Sequence, residues 1–207
     1  MRAPYWVRHL DAQGRWRGSE RPPGEDLAAM RRGARREPGT VPGLWGLHAR
    51  LGDDRWADAE HVGVSPSLAA EHHALVLFGF HQQGLDRPVH RRGVGVGRAI
   101  RDLRDSGRYS PEAVERRFFA AVTAETVDEV AEHLRGLVQQ LRVLRRAGDR
   151  GVLDYSRLMR DLERWHDPER RGGVRRTWAT QYETPPRGQG DAAGDQTSED
   201  DPAVAGD

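Results

Sequence analysis

Residues 91–108 read RRGVGVGRAIRDLRDSGR, and two folds compete for them. As a glycine loop, Gly93, Gly95 and Gly97 would cradle a phosphate between a strand and a helix, and the chain would be α/β. As a loop followed by a helix, the same residues set arginines on one face of an all-α protein. Spacing decides between the two. A dinucleotide fingerprint needs G-x-G-x-x-G behind a buried strand. Here the glycines run G-x-G-x-G behind DRPVHRR, and the chain contains no lysine to complete a P-loop. At about 100° per residue, Val96, Ile100 and Leu103 share a narrow arc, and Arg98, Arg101, Arg104 and Arg108 take a broad opposite one. Asp102 and Asp105 offset part of that charge. The glycines then form a flexible loop whose backbone N–H groups can approach a phosphate.

Outward from this stretch, nearly everything reads as helix. Ser65-Pro66 and Ser110-Pro111 are helix starts, with serine as cap and proline at the first position. The first opens a mostly buried helix over 67–83. The second opens one with Val114, Phe118 and Val122 in register. Thr126–Glu129 matches a capping box. The helix behind it carries Val127, Val130, Ala131, Leu134, Leu137, Val138, Leu141 and Leu144 on one stripe. Asp154 caps a helix over 155–165, and Asp167-Pro168 starts the last, to about Tyr182. Upstream, short helices are expected over 5–10, 25–36 and 44–51. The expected fold is all-α, two packed helical bundles of eight or nine helices. The halves are 1–88 and 89–183, and 184–207 is a disordered acidic tail rich in Pro, Gly, Asp and Ser.

The chain has 207 residues and no cysteine, which excludes a disulfide scaffold, a thiolate metal site and a cysteine nucleophile. No signal peptide is visible, and the longest apolar run, ALVLFGF at 74–80, is too short to span a bilayer. A cytoplasmic protein without a membrane partner is the expectation. Net charge is +1, but the last twenty residues hold six acids and no base, leaving residues 1–187 at +7. All 33 basic residues are arginine, which forks onto phosphate and stacks on bases. A basic body points to an anionic partner.

The arginines cluster. Arg31, Arg32, Arg35 and Arg36 fall within six residues with no acid between them. Arg116-Arg117 lies opposite the apolar stripe of its helix. Arg135, Arg142 and Arg146 form a second stripe beside the capping-box core, with Arg145 nearer the apolar edge, where an arginine snorkels. Arg170, Arg171, Arg175 and Arg176 crowd the last helix. Each cluster alone reads equally as a solvated face laced by Arg–Asp pairs. Together they suggest a track for a nucleic-acid backbone.

Other chemistry finds little support. Adjacent His72-His73 and His81 share one helix but point apart, and no zinc-protease pattern occurs. No catalytic residue, metal or cofactor is expected. Asp53, Asp54, Asp58 and Glu60 read as surface. Trp45, Trp165 and Trp178 sit at apolar positions and are expected in the core. Trp16, between Arg15 and Arg17, reads as a core residue or local staple, with a base-stacking platform as the other role.

The ordered set of motifs resembles one family. LAAMRRGARREPGTVPGLWGL (27–47), GVGRAIRDLRDSGR (95–108), ERRFFAAVTAETVDEVAEHLRGLVQQLR (115–142) and LDYSRLMRDLERWHDPERRGGVRRTWATQYE (153–183) are similar in order and type to CasB, the small helical subunit of the type I-E CRISPR Cascade surveillance complex. The chain departs from that pattern at Gly172-Gly173, which bears on the straightness of the last helix, and in the acidic tail. The resemblance implies an all-α, non-catalytic subunit in antiviral defence. Its implied protein partners are the guide-RNA-coating backbone subunits, the large subunit and a second copy of itself. Its implied nucleic-acid partners are the crRNA and target DNA, whose displaced single strand it holds in the R-loop. Within matching motifs, nucleic-acid contact carries over to Arg31, Arg32, Arg98, Arg101, Arg116, Arg117 and Arg142. Charge pattern alone adds Arg35, Arg36, Arg145 and Arg146. Two alternatives stand beside this: an assembly subunit whose arginines meet acidic protein surfaces, and a helical DNA-binding regulator. The latter lacks a recognition helix of base-reading side chains.

Overall fold

The computed structural model describes residues 2–18, 21–51 and 63–184. The expected acidic surface at Asp53–Glu60, Trp56 and the tail from 185 lie outside the described residues. Eight α-helices and one 3-10 turn make up the regular structure described: α1 (Tyr5–Arg8), α2 (Gly24–Arg32), the 3-10 turn (Pro42–Leu44), α3 (Pro66–Gln82), α4 (Val96–Arg104), α5 (Pro111–Thr123), α6 (Val127–Ala147), α7 (Tyr155–Trp165) and α8 (Pro168–Glu183). Among the described residues there is no sheet, only isolated backbone bridges joining Leu10 to Trp16 and His90 to Leu153. The protein is all-α.

Side-chain caps set the helix starts. Ser65 accepts from the Leu68 N–H, Ser110 from Ala113, Thr126 from Glu129, Asp154 from Arg157 and Asp167 from Glu169. Each satisfies an N–H that the first turn leaves unpaired. Glu129 closes its half of the box one residue early, accepting the N–H of Glu125 at 2.9 Å. Gly172 and Gly173 do not interrupt α8, which runs through them.

α3 is central. It packs on α2, α6 and α7, while α8 crosses α4 and lies along α7. One buried cluster joins Met30, Leu75, Phe78, Leu103, Phe118, Leu137, Leu141, Tyr155 and Trp165. The Trp165 and Trp178 rings lie 5.1 Å apart, tilted by 35°, and the Trp178 indole donates to the buried Asp161 carboxylate at 2.9 Å.

Three expectations need correction. α2 stops at Arg32 rather than Arg36. The Gly33 carbonyl faces the buried His72 Nε2 at 3.0 Å, and Arg35 takes a left-handed backbone at φ 60°, which no α-helix contains. The helix expected over 44–51 is a 3-10 turn followed by irregular chain. There Glu71 of α3 accepts the N–H groups of Ala49 and Arg50 at 2.8 and 2.9 Å, holding that backbone out of a helix. Trp45 is 53% exposed rather than core, its indole donating to the Gly39 carbonyl. Trp16 is half-buried, and its indole N–H donates to the Asp86 carbonyl at 2.6 Å, a tie across seventy positions of chain rather than a local one.

Candidate nucleic-acid interface

The stripe of α6 faces the core with Leu134, Leu137, Val138 and Leu141 and turns Glu132, Arg135, Arg142 and Arg146 outward. The end of α2 comes alongside. Arg35 donates to Glu132 at 2.9 Å, and Glu132 also receives Arg135. The Arg135 guanidinium lies 5.8 Å from the centre of the Phe80 ring of α3. Further along α6, Arg142 donates to Gln83 at 2.8 Å and Arg146 to the Gly84 carbonyl. Arg31 folds back onto the Leu27 carbonyl at 3.0 Å. Burial, then the neighbouring charges of Arg142 and Arg32, push its pKa down. Arg31 and Arg142 therefore stand close enough to repel. Arg32 and Arg36 are exposed, and their side chains make no hydrogen bond or ion pair among the described residues.

This face is not uniformly basic. A groove of about 1100 Å³ runs from Arg35 and Arg36 past the first turns of α6, where Glu125, Asp128, Glu129 and Glu132 also line it. Hydrogen bonding from Arg35 holds Glu132 below the usual carboxylate range, and the His73 ring, 3.1 Å away, does the same for Asp128. Those acids stay ionised. Acid at the start of α6 and arginine at its end complement the helix dipole. The positive surplus thus sits at Arg31, Arg142 and Arg146.

The other expected arginines lie elsewhere. Arg98 on α4 and Arg116 and Arg117 on α5 are exposed, and no hydrogen bond or ion pair among the described residues links them to the α2–α6 face. Phe119, 49% exposed, stands three residues beyond Arg116. Arg101 is not on an exposed arc. It is 5% exposed, and its guanidinium donates to the carbonyls of Gln181 and Thr184 where α8 ends. Arg145 is 6% exposed and holds the Pro88 and Gly148 carbonyls. Both cap backbone that lacks other partners.

The glycines that opened the sequence question are packing residues. A β-carbon on Gly97 would overlap the Trp178 carbonyl, and one on Gly95 would overlap the side chain of Gln181, so α4 and α8 touch backbone to backbone. The Gly93 N–H is already given to Asp154 at 2.9 Å.

Sequence reasoning passed over a groove of about 700 Å³ between α7 and α8, lined by Arg157, Arg160, Arg164 and Arg170 around Asp161. The spacing R-x-x-R-x-x-x-R in 157–164 carries that signal, since such residues share one helix face. Among the described residues no group of three or more His, Asp or Glu side chains is placed to hold a metal ion. No described helix is long and apolar enough to cross a membrane.

Fold and surface together define an arginine-faced, all-helical protein with charge-lined grooves among its described residues. The chain belongs to the Cse2/CasB family, the small subunits of type I-E Cascade in CRISPR antiviral defence: the family model described as CRISPR-associated protein Cse2 matches residues 26–182. A Cse2 protein of Thermus thermophilus is 28% identical over 178 residues, 86% of this chain and 85% of that one. The crystal structure of CasB from Thermobifida fusca superposes with a TM-score of 0.60 at 32% identity, covering 78% of this chain and 85% of that one. A Cse2-family crystal structure from Thermus thermophilus gives 0.55 at 26%, covering 76% and 85%. Members of the family are generally non-catalytic subunits of Cascade.

Proposed function

We propose that the protein grips nucleic-acid backbone without reading sequence, and that within Cascade it holds the displaced strand of the R-loop. The observation that carries this is the approach of Arg31 from α2 to Arg142 on α6, with the exposed Arg32 and Arg36 on the α2 side and Arg146 one turn further along α6. Opening a duplex against a guide exchanges one set of base pairs for another at nearly equal energy, so a few backbone contacts tip the balance. Pairing reads the sequence, and arginine forks on phosphate are sufficient for the rest. Arg98, Arg116 and Arg117 offer further contacts along the same strand or its guide. The buried Arg101 and Arg145 act by fixing backbone rather than by touching phosphate.

The test is fluorescence anisotropy of a labelled random-sequence single strand across salt concentrations, with the full chain and Arg142→Gln plus Arg146→Gln. The pair should weaken binding at least tenfold at low salt. It should also flatten the salt slope by about 1.4, two contacts at roughly 0.7 each for single strands. Unchanged affinity, with helicity intact by circular dichroism, removes this face from the site. That result would favour a second reading, docking onto protein, for which the exposed Phe119 beside Arg116 is the specific support.

A further inference from the structure

A cavity of about 710 Å³ opens between the chain that follows α1, the segment 87–92 and the end of α6. It lies apart from the strand face and uses other residues. Arg15, Arg87, Arg91, Arg92 and Arg145 line it. Three of the five have internal partners. Arg15 pairs with Asp11 at 3.2 Å, Arg87 with Asp149 at 2.9 Å, and Arg145 holds carbonyls and, more loosely, Asp149. Arg91 and Arg92 have no side-chain hydrogen bond or ion pair among the described residues and stand at the mouth. Asp11 is the one acid among the described lining residues, and its oxygens are taken by Arg15 and the N–H groups of Gln13 and Arg15. The wall keeps a strong positive surplus.

The second observation is His90. It is 5% exposed and lines the cavity. Its Nδ1 accepts the Tyr155 N–H at 3.1 Å, so in the neutral ring Nε2 carries the proton. That Nε2 is buried and has no hydrogen-bond partner among the described residues. Burial, the largest influence, lowers the ring's pKa against the opposing pull of Asp154 and the Leu153 backbone, and the Arg92 charge adds a smaller push in the same direction as burial. The ring shares the cavity wall with the five arginines.

We propose that this cavity binds a phosphate monoester of nucleotide size, with the Arg91 and Arg92 forks on the phosphate and the His90 ring in the wall beside it. Convergent guanidinium groups suit a dianionic tetrahedral oxyanion. The volume exceeds what a bare anion fills and falls within the range of small-ligand pockets. Val7, Leu10 and Pro88 supply apolar wall for the attached nucleoside. The phosphate belongs either to a free mononucleotide or to the end of a strand.

Calorimetric titration of the full chain tests this with adenosine 5′-monophosphate, adenosine, inorganic phosphate and a short strand with or without a 5′-phosphate. The monophosphate should bind at least tenfold more tightly than adenosine. Arg91→Gln plus Arg92→Gln, both exposed, should remove that preference while leaving helicity and the affinity for the unphosphorylated strand unchanged. In the unmodified protein, the His90 Nε2–H resonance of histidine-labelled samples should move on titration. A strand preferred tenfold for its 5′-phosphate over the free mononucleotide assigns the site to strand ends, and the reverse assigns it to free nucleotides. Equal binding of adenosine and its monophosphate, no saturable binding of any phosphate, or a still His90 signal overturns the proposal. Because the unphosphorylated strand reports on the α2–α6 face, the two readings fail separately.

Discussion

At Gly97 a β-carbon would overlap the Trp178 carbonyl and come within 2.8 Å of the Gln181 β-carbon, and neither neighbour is the loose end of a side chain. Gly97→Ala must therefore push α4 from α8. Overpacking of this kind costs about 1–3 kcal/mol, and backbone contact places this site at the upper end. Gly136, in mid-α6 with open space beside it, makes the control. Gly136→Ala should stabilise by about 0.5–1 kcal/mol, because alanine loses less freedom in a helix. Thermal melts should move in opposite directions, and equal shifts would sink the packing argument. The sequence spoke clearly against a phosphate loop at these glycines, because spacing and missing lysine are local facts. It was silent on what the glycines do instead, since the partner is residue 178, far along the chain. The same limit hid the burial of Arg101. Periodicity placed it opposite Ile100's arc, but the end of α8 covers it, and no local pattern announces that crossing.

Among elements, α3 shows most clearly how burial constrains chemistry. Its His81 is fully enclosed, with Nε2 at 3.1 Å from the Gly151 carbonyl and Nδ1 at 2.9 Å from the Tyr155 hydroxyl. Its His72 faces the carbonyl that ends α2. Burial lowers both pKa values from 6.5, to about 3 for His81 and about 4 for His72. The unfolded chain then binds more protons than the folded one below pH 6.5. Stability must fall as pH drops from 6.5, by up to about 1.4 kcal/mol per pH unit for each histidine, and level off once the folded values are passed. Denaturant melts between pH 7 and 4 should show this slope. His72→Gln, which keeps a donor toward Gly33, should make it shallower; an identical slope in the variant would clear His72 of the effect. The helix starts on which this scaffold rests were legible, since a cap acts within three residues. Helix ends were less so. α2 ends because His72, some forty positions later, meets its last carbonyl, and the chain after Leu44 stays irregular because Glu71 claims its N–H groups.

For the whole molecule, the sequence carried the arginine surplus and the structure redistributed it. Stripes on α6 and the run at the end of α2 were readable singly. Only packing shows that Arg31 comes near enough to Arg142 to feel its charge, while Arg145 turns inward and the α7–α8 groove gathers four more arginines. What the sequence does settle for the molecule is its charge balance: +1 in full, +7 without residues 188–207. An acidic segment covalently joined to a basic body competes with any strand at an effective concentration that the linkage sets. That competition acts through unpaired charge and is screened beyond about 8–10 Å at physiological salt. Removing residues 188–207 should therefore tighten single-strand binding several-fold at low ionic strength, with the gain shrinking as salt rises. It should also steepen the salt slope, since arginines released from the acids become available to phosphate. Anisotropy titrations of the full and shortened chains at three salt concentrations measure this directly. Curves that coincide at every salt concentration would mean that the six acids never reach the arginines the strand uses.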